Sequence, residues 1–163
     1  MPDLFKHRFI LLILLMPVLL LAQSVPVKMT IKTEKNATHS FKMSVQFQAT
    51  SSITHGFALR VSKKERMFPE KITVNGKDLW LKNARSVPQS KNAVHWFFAD
   101  SLLELRFAPQ AIAAGSNLNL VLHLSERQPT KGNLTVSLLP LNTQPGKAEI
   151  LNRLTMPLPQ NPQ

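Results

Sequence analysis

The chain has 163 residues, with no cysteine and no tyrosine, and its 20 lysines and arginines outnumber nine acidic residues to give a formal charge of +11. Lack of cysteine excludes a disulfide framework, a thiol nucleophile and a lipid-modified cysteine, so the fold must hold by packing alone. A positive field favours anionic partners such as lipid head groups, acidic polysaccharide or nucleic acid. The basic residues are nevertheless spread along the chain, with one small cluster at Lys63, Lys64 and Arg66, which is the pattern of a solvated surface.

Met1 to Arg8 carries Lys6 and Arg8, and an apolar run from Phe9 to Leu21 ends in Ala22, Gln23 and Ser24. A basic start, an apolar core of about 7–15 residues and then small residues form the pattern of a secretory signal peptide. The core is shorter than the roughly 20 residues that span a bilayer, which weighs against an uncleaved anchor. Pro17 also interrupts any continuous helix there. The expectation is a signal peptide over residues 1–24, one domain over 25–156 and a disordered tail over 157–163. Such a protein would be exported, periplasmic or secreted, with no transmembrane segment in its mature chain. Its charge would still be +10 after loss of Asp3, Lys6 and Arg8.

Val25, Val27, Met29 and Ile31 alternate with Pro26, Lys28, Thr30 and Lys32, predicting a first strand. Glu34 to Ser40 is polar and reads as a turn. Phe41, Met43, Val45, Phe47 and Ala49 then alternate with Lys42, Ser44, Gln46 and Gln48, a strand with one dry face and one wet face. Gly56 introduces another at Phe57, Leu59 and Val61, and Ser62 to Glu70 reads as a charged loop containing Pro69.

Ile72 and Val74 lead into Asn75-Gly76 and then Lys77 to Leu81, the pattern of a two-residue hairpin with positive backbone angles at both turn positions. That register sets Val74 against Lys77, Thr73 against Asp78, Ile72 against Leu79 and Lys71 against Trp80. Trp80 would then share a polar face with Lys71, Thr73 and Asp78.

A polar loop from Asn83 to Asn92 precedes strands at Val94 to Phe98 and Leu103 to Phe107, the first with aromatics on both faces, as in a central strand. Gly115 precedes a strand at Leu118 to Leu124. Leu134 to Leu138 makes another, and Ile150 to Leu154 a last edge strand. Eight or so short strands without sustained helical period predict an all-β fold, a single antiparallel two-sheet β-sandwich of immunoglobulin-like type.

No catalytic motif is present. His39, His55, His95 and His123 stand alone, without the spacing of a zinc site. His39 with Met43 could face copper, but Met43 lies on the apolar side of its strand and reads as core. No serine sits in a Gly-x-Ser-x-Gly elbow, and Glu104 and Asp78 are the conceivable carboxylates of a hydrolase. The expectation is a non-enzymatic protein without cofactor or bound metal. Export and thin aromatic interleaving argue against nucleic acid as its partner.

From Phe41 to Leu124 the order of features resembles the immunoglobulin-like carbohydrate-binding sandwiches, namely the family 2 cellulose-binding modules and the N-terminal domain of chitobiases. The corresponding pieces are Phe41 to Phe47, Gly56-Phe57-Ala58-Leu59, Asn75-Gly76-Lys77-Asp78-Leu79-Trp80, and Ile112-Ala113-Ala114-Gly115 before Leu118. The sequence departs from that pattern in having Phe57 where the family has tryptophan, no terminal cysteine pair and no flat platform of three aromatics. The resemblance implies a sandwich, and a stacking role for Trp80 if sugar binding carries over. The expected ligand site is therefore Trp80 with Lys71, Thr73 and Asp78, for a polysaccharide or other envelope polymer, acidic if the charge is used. The alternative is a periplasmic or surface accessory protein that adds a partner's strand to a free edge at Val25 to Lys32 or Ile150 to Met156.

Overall fold

The computed structural model describes residues 27–49, 56–62, 66–99, 102–108, 115–127, 132–141 and 150–158. The expected signal peptide, Val25 and Pro26, Lys63 and Lys64, Ile112 to Ala114 and residues 159–163 lie outside them. Among the described residues there are eleven strands: β1 (Val27–Ala37), β2 (Ser40–Ala49), β3 (Phe57–Ser62), β4 (Met67–Val74), β5 (Lys77–Asp78), β6 (Trp80–Asn83), β7 (Ala93–Ala99), β8 (Leu102–Phe107), β9 (Asn117–Glu126), β10 (Asn133–Pro140) and β11 (Asn152–Pro157). They form a five-stranded sheet in the order β1-β2-β9-β4-β5 and a six-stranded sheet in the order β11-β10-β3-β8-β7-β6. Among the described residues no helix is long and apolar enough to cross a membrane.

The predicted alternation sets the core. Phe41, Met43, Val45 and Phe47 of β2 and Leu118, Leu120, Leu122 and Leu124 of β9 are buried from the first sheet. Leu59, Val61, Leu103, Leu105, Leu134 and Val136 are buried from the second. Phe57 joins the layers: its ring stacks on Phe107 at 4.6 Å between centroids and meets Phe47 edge-on at 5.9 Å.

Three expectations need correction. The first turn is only Thr38–His39, because β1 continues to Ala37. Lys35 takes an inward position there by pairing with buried Glu126 at 3.7 Å, which lets a polar stretch extend a sandwich strand. Likewise Met67 to Glu70 belongs to β4 rather than to a loop, with Pro69 at an irregularity between Pro69 and Lys71. This part of β4 pairs only with β9, so the missing N–H of Pro69 costs no second ladder.

The hairpin holds its predicted register at Val74–Lys77 and Thr73–Asp78, and Leu79 N–H still donates to Ile72 O at 2.9 Å. The next residue leaves: Trp80 N–H donates to Asn92 O at 2.7 Å, and β6 lies parallel to β7 in the second sheet. Leu79 and Leu81 both pack on the core, so the chain rounds the side of the sandwich at Leu79 and brings one parallel pair into an otherwise antiparallel fold. Finally, β11 reaches Pro157 and Leu158 is buried, its N–H donating to Gly132 O at 2.9 Å.

Candidate functional site: the outer face of the six-stranded sheet

Leu81 of β6 faces the core beside Val94, which turns Trp80 and Lys82 outward with Ala93 and His95. Trp80 is 80% exposed, the most accessible large apolar side chain among the described residues. The same outer face carries His95 and Phe97 of β7, Glu104 and Arg106 of β8, Arg60 of β3, Ser137 of β10 and Arg153 of β11. Backbone register aligns Phe97, Glu104, Arg60, Ser137 and Arg153 in one row across five strands.

The row is held together by charge. Glu104 is only 2% exposed and accepts a hydrogen bond from Arg60 Nε at 2.7 Å on one oxygen and from Arg106 Nε at 2.7 Å on the other. Two guanidinium groups against one carboxylate leave a net positive charge on this triad. Arg106 also donates through Nη1 to the carbonyl of Arg85, in the connection between β6 and β7. The guanidinium groups of Arg106 and Arg85 lie 4.7 Å and 5.6 Å from the Phe97 ring centre, which is how a phenylalanine on an outer face comes to be buried. His95 Nδ1 donates to Ser86 O at 2.9 Å, tying the same connection to β7.

At the other end of the row Arg153 Nε donates to Ser137 Oγ at 3.2 Å, and the hydroxyls of Thr135 and Thr155 are 2.9 Å apart. Arg60, Arg153, Ser62, Thr135 and Ser137, with the apolar side chains of Leu102, Leu139 and Ile150, line a shallow depression of about 280 Å³. With Lys82 and Arg85, the face carries five cationic side chains around one buried carboxylate.

Lys71, Thr73 and Asp78 come together elsewhere, on the outer side of the five-stranded sheet. Thr73 stands opposite Asp78, and Lys71 Nζ pairs with Asp78 Oδ2 at 3.0 Å. Trp80, expected opposite Lys71, belongs to the other sheet, so the four candidate residues do not share one sheet face. The five-stranded sheet also has a shallow hydrophilic depression, about 300 Å³, lined by Lys28, Thr30, Gln46, Gln48 and Asn117. Glu104 and Asp78 face outward from different sheets, each bonded to a cation, and cannot flank one glycosidic bond. Met43 is fully buried whereas His39 is exposed, which removes the imagined copper pair. No group of three or more metal-ligating side chains occurs among the described residues.

Sequence reasoning singled out Glu104 as a carboxylate but missed the row. Its other members come from strands distant in sequence, and only sheet order brings them together.

No family model matches the sequence, and no characterised protein sequence matches it. Solved structures do resemble it in fold. A Streptococcus suis adhesin, Fhb, bound to the disaccharide receptor Gb2, is similar at TM-score 0.50 and 13% identity, over 82% of this chain and 88% of that one. The collagen-binding domain of a Staphylococcus aureus adhesin gives TM-score 0.44 and 8% identity, over 84% of this chain and 99% of that one. An inactive mutant of the Vibrio harveyi GH20 exo-β-N-acetylglucosaminidase gives TM-score 0.43 and 9% identity over 80% of this chain; the chain spans only 17% of that enzyme. At these identities the likeness is one of β-sandwich fold.

Proposed function

We propose that this chain is an exported, non-catalytic binding protein that recognises an envelope polysaccharide through the outer face of its six-stranded sheet. One observation supports the reading above the others: a tryptophan that is 80% exposed shares that face with Lys82, Arg85, Arg106, Arg60 and Arg153. An exposed indole offers a flat apolar surface for a sugar ring, and its burial by ligand repays the cost of leaving it in water. The surrounding cations favour a polymer that carries negative charge. Fold similarity to adhesin domains is compatible with this role without identifying the ligand.

The test is retention of the purified protein on insoluble polysaccharides, neutral and acidic, at low and high salt. Retention that survives high salt and is lost in Trp80→Ala supports stacking on sugar. Retention that vanishes with salt and ignores Trp80→Ala reduces the interaction to charge.

A second reading keeps a specific observation. β1 and β11 are edge strands, as expected from the sequence, and β1 is eleven residues long with β2 as its one ladder neighbour among the described strands. Strand addition by a protein partner would use it. Partner binding abolished by proline substitutions along β1, with Trp80→Ala harmless, would favour that reading.

A further inference from the structure

Resting on the polysaccharide reading, we infer that the Arg60–Arg153 depression is a subsite for an oxyanion carried on the glycan, remote from Trp80, so that the face reads a charged oligomer rather than a single sugar.

Both arginines are held through Nε, Arg60 by Glu104 and Arg153 by Ser137, which fixes each guanidinium while leaving its two terminal amino groups outside that bond. Paired N–H groups of this kind bind carboxylate, sulfate and phosphate oxygens in a fork. Hydroxyls of Ser62, Thr135 and Ser137 line the same depression and can donate to a bound oxygen. Among the described residues no carboxylate lines it. The nearest along the row, Glu104, is already engaged by two arginines, so with Arg153 the described row keeps a net positive charge toward an incoming anion.

The span follows from register. Trp80 and Arg153 are on the first and last strands of a six-stranded sheet, five strand spacings apart. Trp80 is level with Ala93, four residues along β7 from Phe97 in the arginine row. At about 4.8 Å per strand and 3.3 Å per residue the separation is roughly 25–30 Å, the reach of several sugar rings. Lys82, Arg106 and Arg60 lie along the way.

The experiment measures affinity for oligosaccharides of increasing length in three acidic series, uronate, sulfated and phosphodiester-linked, and in a neutral series. Variants are Trp80→Ala, Arg153→Gln and Arg60→Lys, the last keeping a cation beside Glu104. For long oligomers the best acidic series should bind about tenfold more tightly than the neutral one at low salt, a difference typical of one charge-assisted contact. Arg153→Gln should cut that preference several-fold, and oligomers too short to span the face should be insensitive to it. Which acidic series shows the effect identifies the anion.

An acidic preference unchanged in both Arg153→Gln and Arg60→Lys would overturn the subsite while leaving Trp80 binding intact. Failure of every glycan to bind the unaltered protein would overturn the polysaccharide reading itself. Tighter binding of a single-stranded oligonucleotide than of any glycan would overturn the assignment to sugar.

Discussion

Arg60 and Glu104, 44 residues apart in the chain, meet at 2.7 Å on the outer face of the six-stranded sheet, and Glu104 is the less exposed of the two at 3% of its side chain against 40%. A carboxylate this covered is held by its partners, since solvent is not available to replace them. Glu104→Ala strands Arg60 and Arg106 beside each other, and the double loss should cost about 1–3 kcal/mol, the arginines' own exposure keeping it below the range for a fully buried pair. Urea denaturation of the variant checks this. An effect under about 0.5 kcal/mol would mean that the triad is ordinary surface.

Phe57 makes a second prediction. It is 3% exposed and contacts Phe107 from its own sheet and Phe47 from the facing one. Phe57→Ala should destabilise by about 3–5 kcal/mol, through lost transfer energy and the cavity left between layers. Phe57→Trp should cost about 1–3 kcal/mol because the site is filled by the two neighbouring rings. A stabilising Phe57→Trp would show unfilled space at that position.

The hairpin turn gives a third. Asn75 has φ of 47° and Gly76 φ of 80°, and Asn75 also receives the backbone N–H of Asn119 on Oδ1 at 2.9 Å. Asn75→Ala loses that bond and a side chain that tolerates a positive φ, for about 1–2 kcal/mol. Asn75→Gly keeps the angle and loses only the bond, so it should fall between Ala and the unaltered protein. Thermal unfolding of the three chains orders them.

This turn was legible because two adjacent residues specify it. The β2 strand was legible too, since Phe41 to Ala49 alternates without interruption. Trp80 was not, because leaving the hairpin at Leu79 depends on an acceptor, the carbonyl of Asn92, that no local pattern announces. Its outward direction followed from alternation, but the sheet it joined did not.

The arginine row shows the same limit from the other side. Arg60, Arg106 and Arg153 look scattered in a diffusely basic chain, and only the order β11-β10-β3-β8-β7 makes them neighbours. Lys35 and Pro69 misled for a different reason: each is unfavourable in a strand by type, and each is tolerated by a tertiary device, an ion pair for one and a half-paired strand for the other.

The two tryptophans allow the binding face to be tested optically. The chain contains only Trp80 and Trp96. Trp80 is 80% exposed, whereas Trp96 is partly buried and meets Phe68 and Phe98 edge-on at 6.4 Å and 5.8 Å. Trp96→Phe should therefore retain a red-shifted, easily quenched emission from Trp80, and Trp80→Phe a bluer emission resistant to acrylamide. Neither Trp80→Phe nor Lys71→Ala should change stability by more than about 0.5 kcal/mol, because both side chains are largely in water. Titration with a bound polysaccharide should shift emission in Trp96→Phe and in Lys71→Ala, and leave Trp80→Phe silent. A shift confined to Trp96 would move the ligand to the side of the sandwich between β4 and β7, where Arg66 and Arg127 lie over Phe98 and Phe68.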